Sequence, residues 1–148
     1  MNVRYTVLVA VAAAVALASV ATAAPDAGRQ QITIMSRLYP GGTFVFTPLV
    51  PGALKRDSGK VGVEDSGYDT SDFTFRGKRG TLTLREQTEW VDIWNEEVNG
   101  VTPGVSIGPW KVVRGTGQYA KVTGSGRSVQ VGLGNIWYAR HEGYLKVP

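Results

Sequence analysis

The stretch Trp110–Gly126, WKVVRGTGQYAKVTGSG, places four glycines around a short aromatic segment. Gly115 and Gly117 let the chain leave a strand at Trp110–Arg114 through backbone conformations that a β-carbon would penalise, and Gly124 and Gly126 repeat this at the far end. Tyr119, Ala120 and Val122 lie between them and suit a small plug packed against something apolar. A strand, a glycine-framed turn with its own buried side chains and a second strand form the construction that closes one end of a small barrel. Gly115-Thr116-Gly117 also offers backbone donors, but it lacks the helix and lysine of a phosphate-binding loop. Gly115, Gly117, Tyr119, Gly124 and Gly126 therefore read as a structural turn.

Outward from this turn, alternation with β-branched and aromatic residues dominates and helical periodicity is scarce. Gln31–Arg37 and Thr43–Thr47 read as two strands across the Pro40-Gly41-Gly42 turn. Pro48–Gly67, rich in Pro, Gly, Ser and charge, reads as a mobile loop with at most one short strand at Lys60–Glu64. Asp72–Arg76 and Thr81–Gln87 follow across the basic turn Arg76-Gly77-Lys78-Arg79-Gly80. The second of these continues through Thr88–Trp94, with a bend or bulge expected because a strand of ~14 residues would be unusually long. Asn95–Gly108 reads as a polar connection. Trp110–Arg114, Arg127–Leu133 and Ile136–Val147 complete the set. Closing the sheet removes both edges, so the expected fold is all-β, an antiparallel closed barrel of about eight strands.

The N-terminus has one early charge, Arg4, then an uncharged apolar run from Val7 to Val20 and the small residues Ala21-Thr22-Ala23. This is the pattern of a signal peptide over residues 1–23, leaving 24–148 as a single barrel domain that is exported to the periplasm or medium. The run is shorter than the ~20 residues of a membrane span, so no stable membrane anchor is expected. With no cysteine, neither a disulfide framework nor an acyl-cysteine anchor can form. The mature chain would carry 15 basic and 12 acidic residues, a weak excess that gives no reason to expect nucleic acid as a partner.

Gly115-Thr116-Gly117-Gln118-Tyr119-Ala120 with Gly124-Ser125-Gly126 resembles a turn of the allene oxide cyclase and dirigent-like barrel superfamily. Arg79–Leu84 resembles the strand that family places before it, and Tyr138–Lys146 its aromatic C-terminal strand, so the similarity spans roughly Phe73–Lys146. It implies an eight-stranded, calycin-like barrel, and the chain looks most like the short exported bacterial members. Some members are cyclases that act through a buried glutamate, and dirigent members steer radical coupling. Plant barrels of the family are homo-oligomers, which extends that expectation to this chain. Their catalytic residues fall in segments that do not match this chain residue by residue, so the catalytic set stays unknown.

Two strand faces carry the candidate ligand-binding residues. In an extended run, Glu86, Thr88, Trp90, Asp92 and Trp94 share a face with Leu82 and Leu84, and two tryptophans beside two carboxylates could hold a planar or cationic ligand. Tryptophans packing an ordinary core is the alternative. The last strand divides into Trp137, Ala139, His141, Gly143 and Leu145 on one side and Tyr138, Arg140, Glu142 and Tyr144 on the other. Either side could face the lumen. If the second does, those four line a pocket; otherwise Arg140 and Glu142 form an ion pair on the outside. His141, the sole histidine, reads as a satisfied or surface residue. With no cysteine either, no metal site and no cofactor are expected, and no sequence context around Ser106, Ser125 or Ser128 supplies a base to activate them.

Three functions fit these residues: a barrel binding a small, partly apolar molecule or a protein partner without catalysis; a cyclase, isomerase or coupling guide acting in the lumen; and a structural or inhibitory secreted module. An open lumen separates them best: a lumen filled by Trp, Phe and Leu with no cavity would sink both pocket readings, and in a cavity a buried carboxylate would favour the second over the first.

Overall fold

The computed structural model describes residues 28–39, 41–67, 69–91 and 103–148. Nine strands follow in order: β1 (Arg29–Tyr39), β2 (Thr43–Pro48), β3 (Asp57–Gly67), β4 (Thr70–Gly77), β5 (Thr81–Gln87), β6 (Glu89–Val91), β7 (Pro103–Gly115), β8 (Thr123–Leu133) and β9 (Ile136–Lys146). Each pairs antiparallel with its sequence neighbour, except that β5 and β6 both pair with β7. β9 returns to pair with β1, and β5 pairs with β7, so eight strands close a barrel and β6 extends the β5 track along β7. The all-β closed barrel predicted from the strand tally is the fold of the chain.

Two segments differ from the sequence reading. Pro48–Gly67 is not mainly a loop: its second half is the full strand β3, held on one side by β2 and on the other by β4. Glycine, serine and charge mask it, because only Asp57, Val61 and the half-buried Val63 mark its inward face. β7 begins at Pro103, not after Gly108, and pairs with β6 and β8 throughout its first half. Its inward positions there are Gly104, Ser106 and Gly108, which give no apolar alternation to read.

Inward-facing side chains form the apolar core: Ile32 and Ile34 from β1, Phe44 and Phe46 from β2, Phe73 and Phe75 from β4, Leu82 and Leu84 from β5, Trp110 from β7 and Leu145 from β9, all buried. Phe44 meets Phe75 edge-on at 5.2 Å between centroids, and Phe46 meets Tyr119 likewise at 5.3 Å.

One end of the barrel is closed by the turn on which the sequence reading began. Gly117–Tyr119 forms a single 3-10 turn, Gly117 has φ of 58°, and a β-carbon there would lie 2.2 Å from the Arg79 carbonyl oxygen. Tyr119 is buried beneath it and donates to Asp57 Oδ2 at 3.1 Å. Asp57 also accepts from the backbone N–H groups of Ser58, Lys78 and Arg79 at 2.9, 3.0 and 3.2 Å, tying the β4–β5 hairpin to the plug. Burial, the largest influence on the Tyr119 phenol, pushes it well above its usual value. Gly124 and Gly126 do not end the turn. Both lie inside β8, and a β-carbon on Gly126 would sit 2.5 Å from the Trp110 ring, so that glycine makes room for the indole.

Candidate functional site

Away from the closed end, one layer of the lumen is polar. Register brings the inward positions of three consecutive strands together: Ser106 of β7 lies opposite Gln130 of β8, and Ser128 of β8 lies opposite His141 of β9. β5 adds Glu86, and Thr88 follows it. All six are buried, with Glu86, Ser106 and His141 at 0% exposure.

Glu86 is the centre of this group. Its Oε1 accepts from Gln130 Nε2 at 2.9 Å, and its Oε2 lies 3.1 Å from His141 Nε2. Burial pushes the Glu86 carboxyl up, but the hydrogen bond and charge of His141, joined by Ser128 and Gln130, outweigh it and hold the group below the usual carboxylate range. An ionised carboxylate can only accept, so His141 Nε2 carries a proton and donates it to Glu86. That fixes the ring from one side. From the others, Phe73 and Phe75 meet it edge-on at 4.9 and 5.6 Å.

Two polar atoms in this layer have no hydrogen-bond partner: His141 Nδ1 and Ser106 Oγ. A buried polar atom left unpaired costs about 1–3 kcal/mol, and most such atoms in folded chains find protein or water. Ser128, by contrast, donates to the Gly108 carbonyl at 3.2 Å. A carboxylate that orients an imidazole while the second ring nitrogen stays free is an acid–base arrangement: in the neutral ring Nδ1 accepts a proton or hydrogen bond, and in the charged ring it donates one.

The structure separates the residues predicted from sequence. Of the β5 face, Glu86 points into the lumen, but Trp90 is 59% exposed. Register against β7 is kept through Thr88, with Glu86 opposite Trp110 and Trp90 opposite Ser106, so Glu86, the buried Thr88 and Trp90 share one face as the alternation predicts. Trp90 meets Trp137 edge-on at 5.6 Å. Asp92 and Trp94 lie outside the described residues. On β9 the first side faces inward, with Ala139, His141 and Leu145 buried. Tyr138, Arg140, Glu142 and Tyr144 are therefore on the outer wall and line no lumen pocket, contrary to the reading that made them lumen candidates. Tyr138 is 53% exposed, Arg140 pairs with Glu142 at the surface, and Arg29 stacks over the Tyr144 ring at 4.6 Å.

Sequence reasoning missed His141, Gln130, Ser106 and Ser128. The missing signal was long-range register: His141 is 55 residues from Glu86, and only barrel closure through β8 and β9 brings them together. Among the described residues no three His, Asp or Glu side chains converge as a metal would require.

Two surface depressions lie at the closed end, one of about 430 Å³ lined by Arg56, Asp57, Ser58, Lys78 and Arg79, the other of about 340 Å³ along Pro48–Arg56 beside Gln30. No protein-family model matches the chain, and neither a curated protein nor a solved structure matches it.

Proposed function

We propose that this chain is an exported barrel of the allene oxide cyclase and dirigent-like type that binds a small, partly apolar molecule bearing one polar group at the Glu86–His141 end of the lumen. The observation that carries this reading is the unpaired His141 Nδ1, fully buried on a ring that Glu86 fixes from the opposite nitrogen. Glu86, Ser106 and His141 are wholly buried, so the layer must open to admit the ligand; its polar group would then satisfy Nδ1, and Phe73 and Phe75, which already clamp the imidazole, supply apolar contact beside it.

A second reading, a cyclase, isomerase or coupling guide, is favoured by the Glu86 carboxylate itself. Held ionised inside the barrel beside an imidazole, the pair has the components of a general base.

The test is native mass spectrometry of protein purified from the exported fraction, combined with 15N NMR of the His141 ring. A retained small molecule that shifts the Nδ1 resonance and is lost in His141→Gln supports binding at this site. If the protein leaves the cell unliganded and no apolar probe moves the His141 ring signals, the pair is structural and the proposal fails. Conversion of the retained molecule by wild type but not by Glu86→Gln, with binding preserved, would select the second reading.

A further inference from the structure

The closed end of the barrel carries a pattern that the lumen does not use. Beside the end of β9, which pairs with β1 and β8 there, four further pieces of chain meet: the start of β1, the β2–β3 connection, the β4–β5 hairpin turn and the segment between β7 and β8. Each brings exposed cations. Arg29 stands on the first, Lys55 and Arg56 on the second, Lys78 and Arg79 on the third and Lys121 on the fourth. Lys55 is held to the last of these segments by paired backbone bonds with the Gln118 amide, and Gln118 N–H donates to Arg79 O, so three of the four segments that ring this end are tied together.

No exposed acid balances them among the described residues of these segments. Asp57 is buried and already accepts four hydrogen bonds. The described acids gather elsewhere: Glu64, Asp65 and Asp69 flank the β3–β4 turn at the opposite end.

Within this ring the β2–β3 connection exposes Leu49 at 48% and Val50 at 40%, followed by Pro51, Gly52 and Ala53, all exposed. The turn does not expose them by being loose. The Gln30 side chain donates to the carbonyls of Val50 and Leu54 and accepts from Leu54 N–H, and Leu54 is buried as the anchor. A rigid turn therefore holds two aliphatic side chains in water with cations on the same end.

We propose that the closed end docks the barrel onto an anionic lipid surface, Leu49 and Val50 entering the interfacial zone while the surrounding lysines and arginines engage the headgroups. Apolar insertion and electrostatic attraction together are what peripheral membrane attachment requires, since neither alone is strong. A single-chain polyanion fits less well. Arg56, Lys78 and Arg79 line a depression, but the exposed side chains beside it are aliphatic rather than aromatic, so they offer no stacking platform for bases.

The test is co-sedimentation of the full chain, purified after export, with phosphatidylcholine vesicles that contain or lack phosphatidylglycerol. Binding to the anionic vesicles only, weakened at ~0.5 M salt where screening is short-ranged, is the expected result. Lys55→Glu with Lys78→Glu should lower partitioning at least about tenfold, given roughly fivefold per neutralised cation. Leu49→Ser with Val50→Ser should weaken binding severalfold at low and high salt alike. All four side chains are exposed, and unchanged tryptophan fluorescence verifies that the variants are folded. Equal sedimentation with both vesicle types, or none with either, overturns the proposal. So does binding that dextran sulfate abolishes while the Leu49/Val50 variant binds vesicles as well as wild type, because the surface would then recognise polyanions in general.

Discussion

The two ends of the lumen each bury a carboxylate, and they treat it differently. At the closed end Asp57 accepts four hydrogen bonds, three from backbone N–H groups and one from Tyr119. At the other, Glu86 is bound by Gln130 and His141, yet His141 Nδ1 and Ser106 Oγ beside it remain unpaired. A buried acid whose partners are all local backbone groups holds turns in place. One whose partners are distant side chains with spare valence on them is arranged toward something else. The contrast separates architecture from chemistry within one core, and it can be broken by substitutions at either end.

The largest effects belong to the closed end. Gly117→Val forces a β-branched residue to φ of 58° with its β-carbon 2.2 Å from Arg79 O, and it should abolish soluble protein, read as the soluble fraction after expression. Asp57→Ala leaves Tyr119 and three N–H groups without their acceptor. At about 1–3 kcal/mol for each buried orphan, with water reaching some of them, the loss should be about 3–5 kcal/mol in urea unfolding. A loss below 1 kcal/mol would show that the clamp does not hold the plug.

At the polar end Glu86→Ala removes one partner of a buried pair and should cost about 3 kcal/mol; Glu86→Gln should cost less because it keeps two polar atoms. The pH dependence has a definite sign. The folded Glu86 carboxyl is held below its unfolded value of about 4.3, so its stabilisation is fully present above that pH and is lost as pH falls through the folded value. The stability gap between wild type and Glu86→Gln should therefore shrink as pH falls below about 4.3. A gap that widens toward acid would mean that the carboxyl is protonated in the native barrel.

The same contrast explains what the sequence disclosed. The closed end is written in consecutive residues: Gly117 must be glycine for its φ, Tyr119 is the one large side chain in the turn, and both lie within a segment short enough to read as a unit. Alternation made β1, β2, β4 and β5 legible because Ile, Phe and Leu occupy their inward positions. It failed on β3 and the first half of β7, where the inward residues are Asp57, Gly59, Gly104, Ser106 and Gly108. It held from β5 into β6, where Glu86, Thr88 and Trp90 keep one face, but nothing in Gln87-Thr88-Glu89 announces that Trp90 is left exposed. On β9 both faces mix aromatic and charged residues, and only the pairing with β1 and β8 decides that His141, not Arg140, faces inward.

The finest division lies between two serines of one polar layer. Ser128 Oγ donates to Gly108 O, whereas Ser106 Oγ, equally buried, has no partner. Ser128→Ala should cost about 1 kcal/mol, the net worth of a hydrogen bond plus an orphaned acceptor. Ser106→Ala removes a hydroxyl that has nothing to lose, and the unliganded barrel should be unchanged or slightly stabilised in urea. The sign of the Ser106 result matters more than its size. An alanine that destabilises by as much as Ser128→Ala would mean the hydroxyl is already satisfied in the free protein, and the lumen would lose one of the two polar atoms that mark it as a binding site.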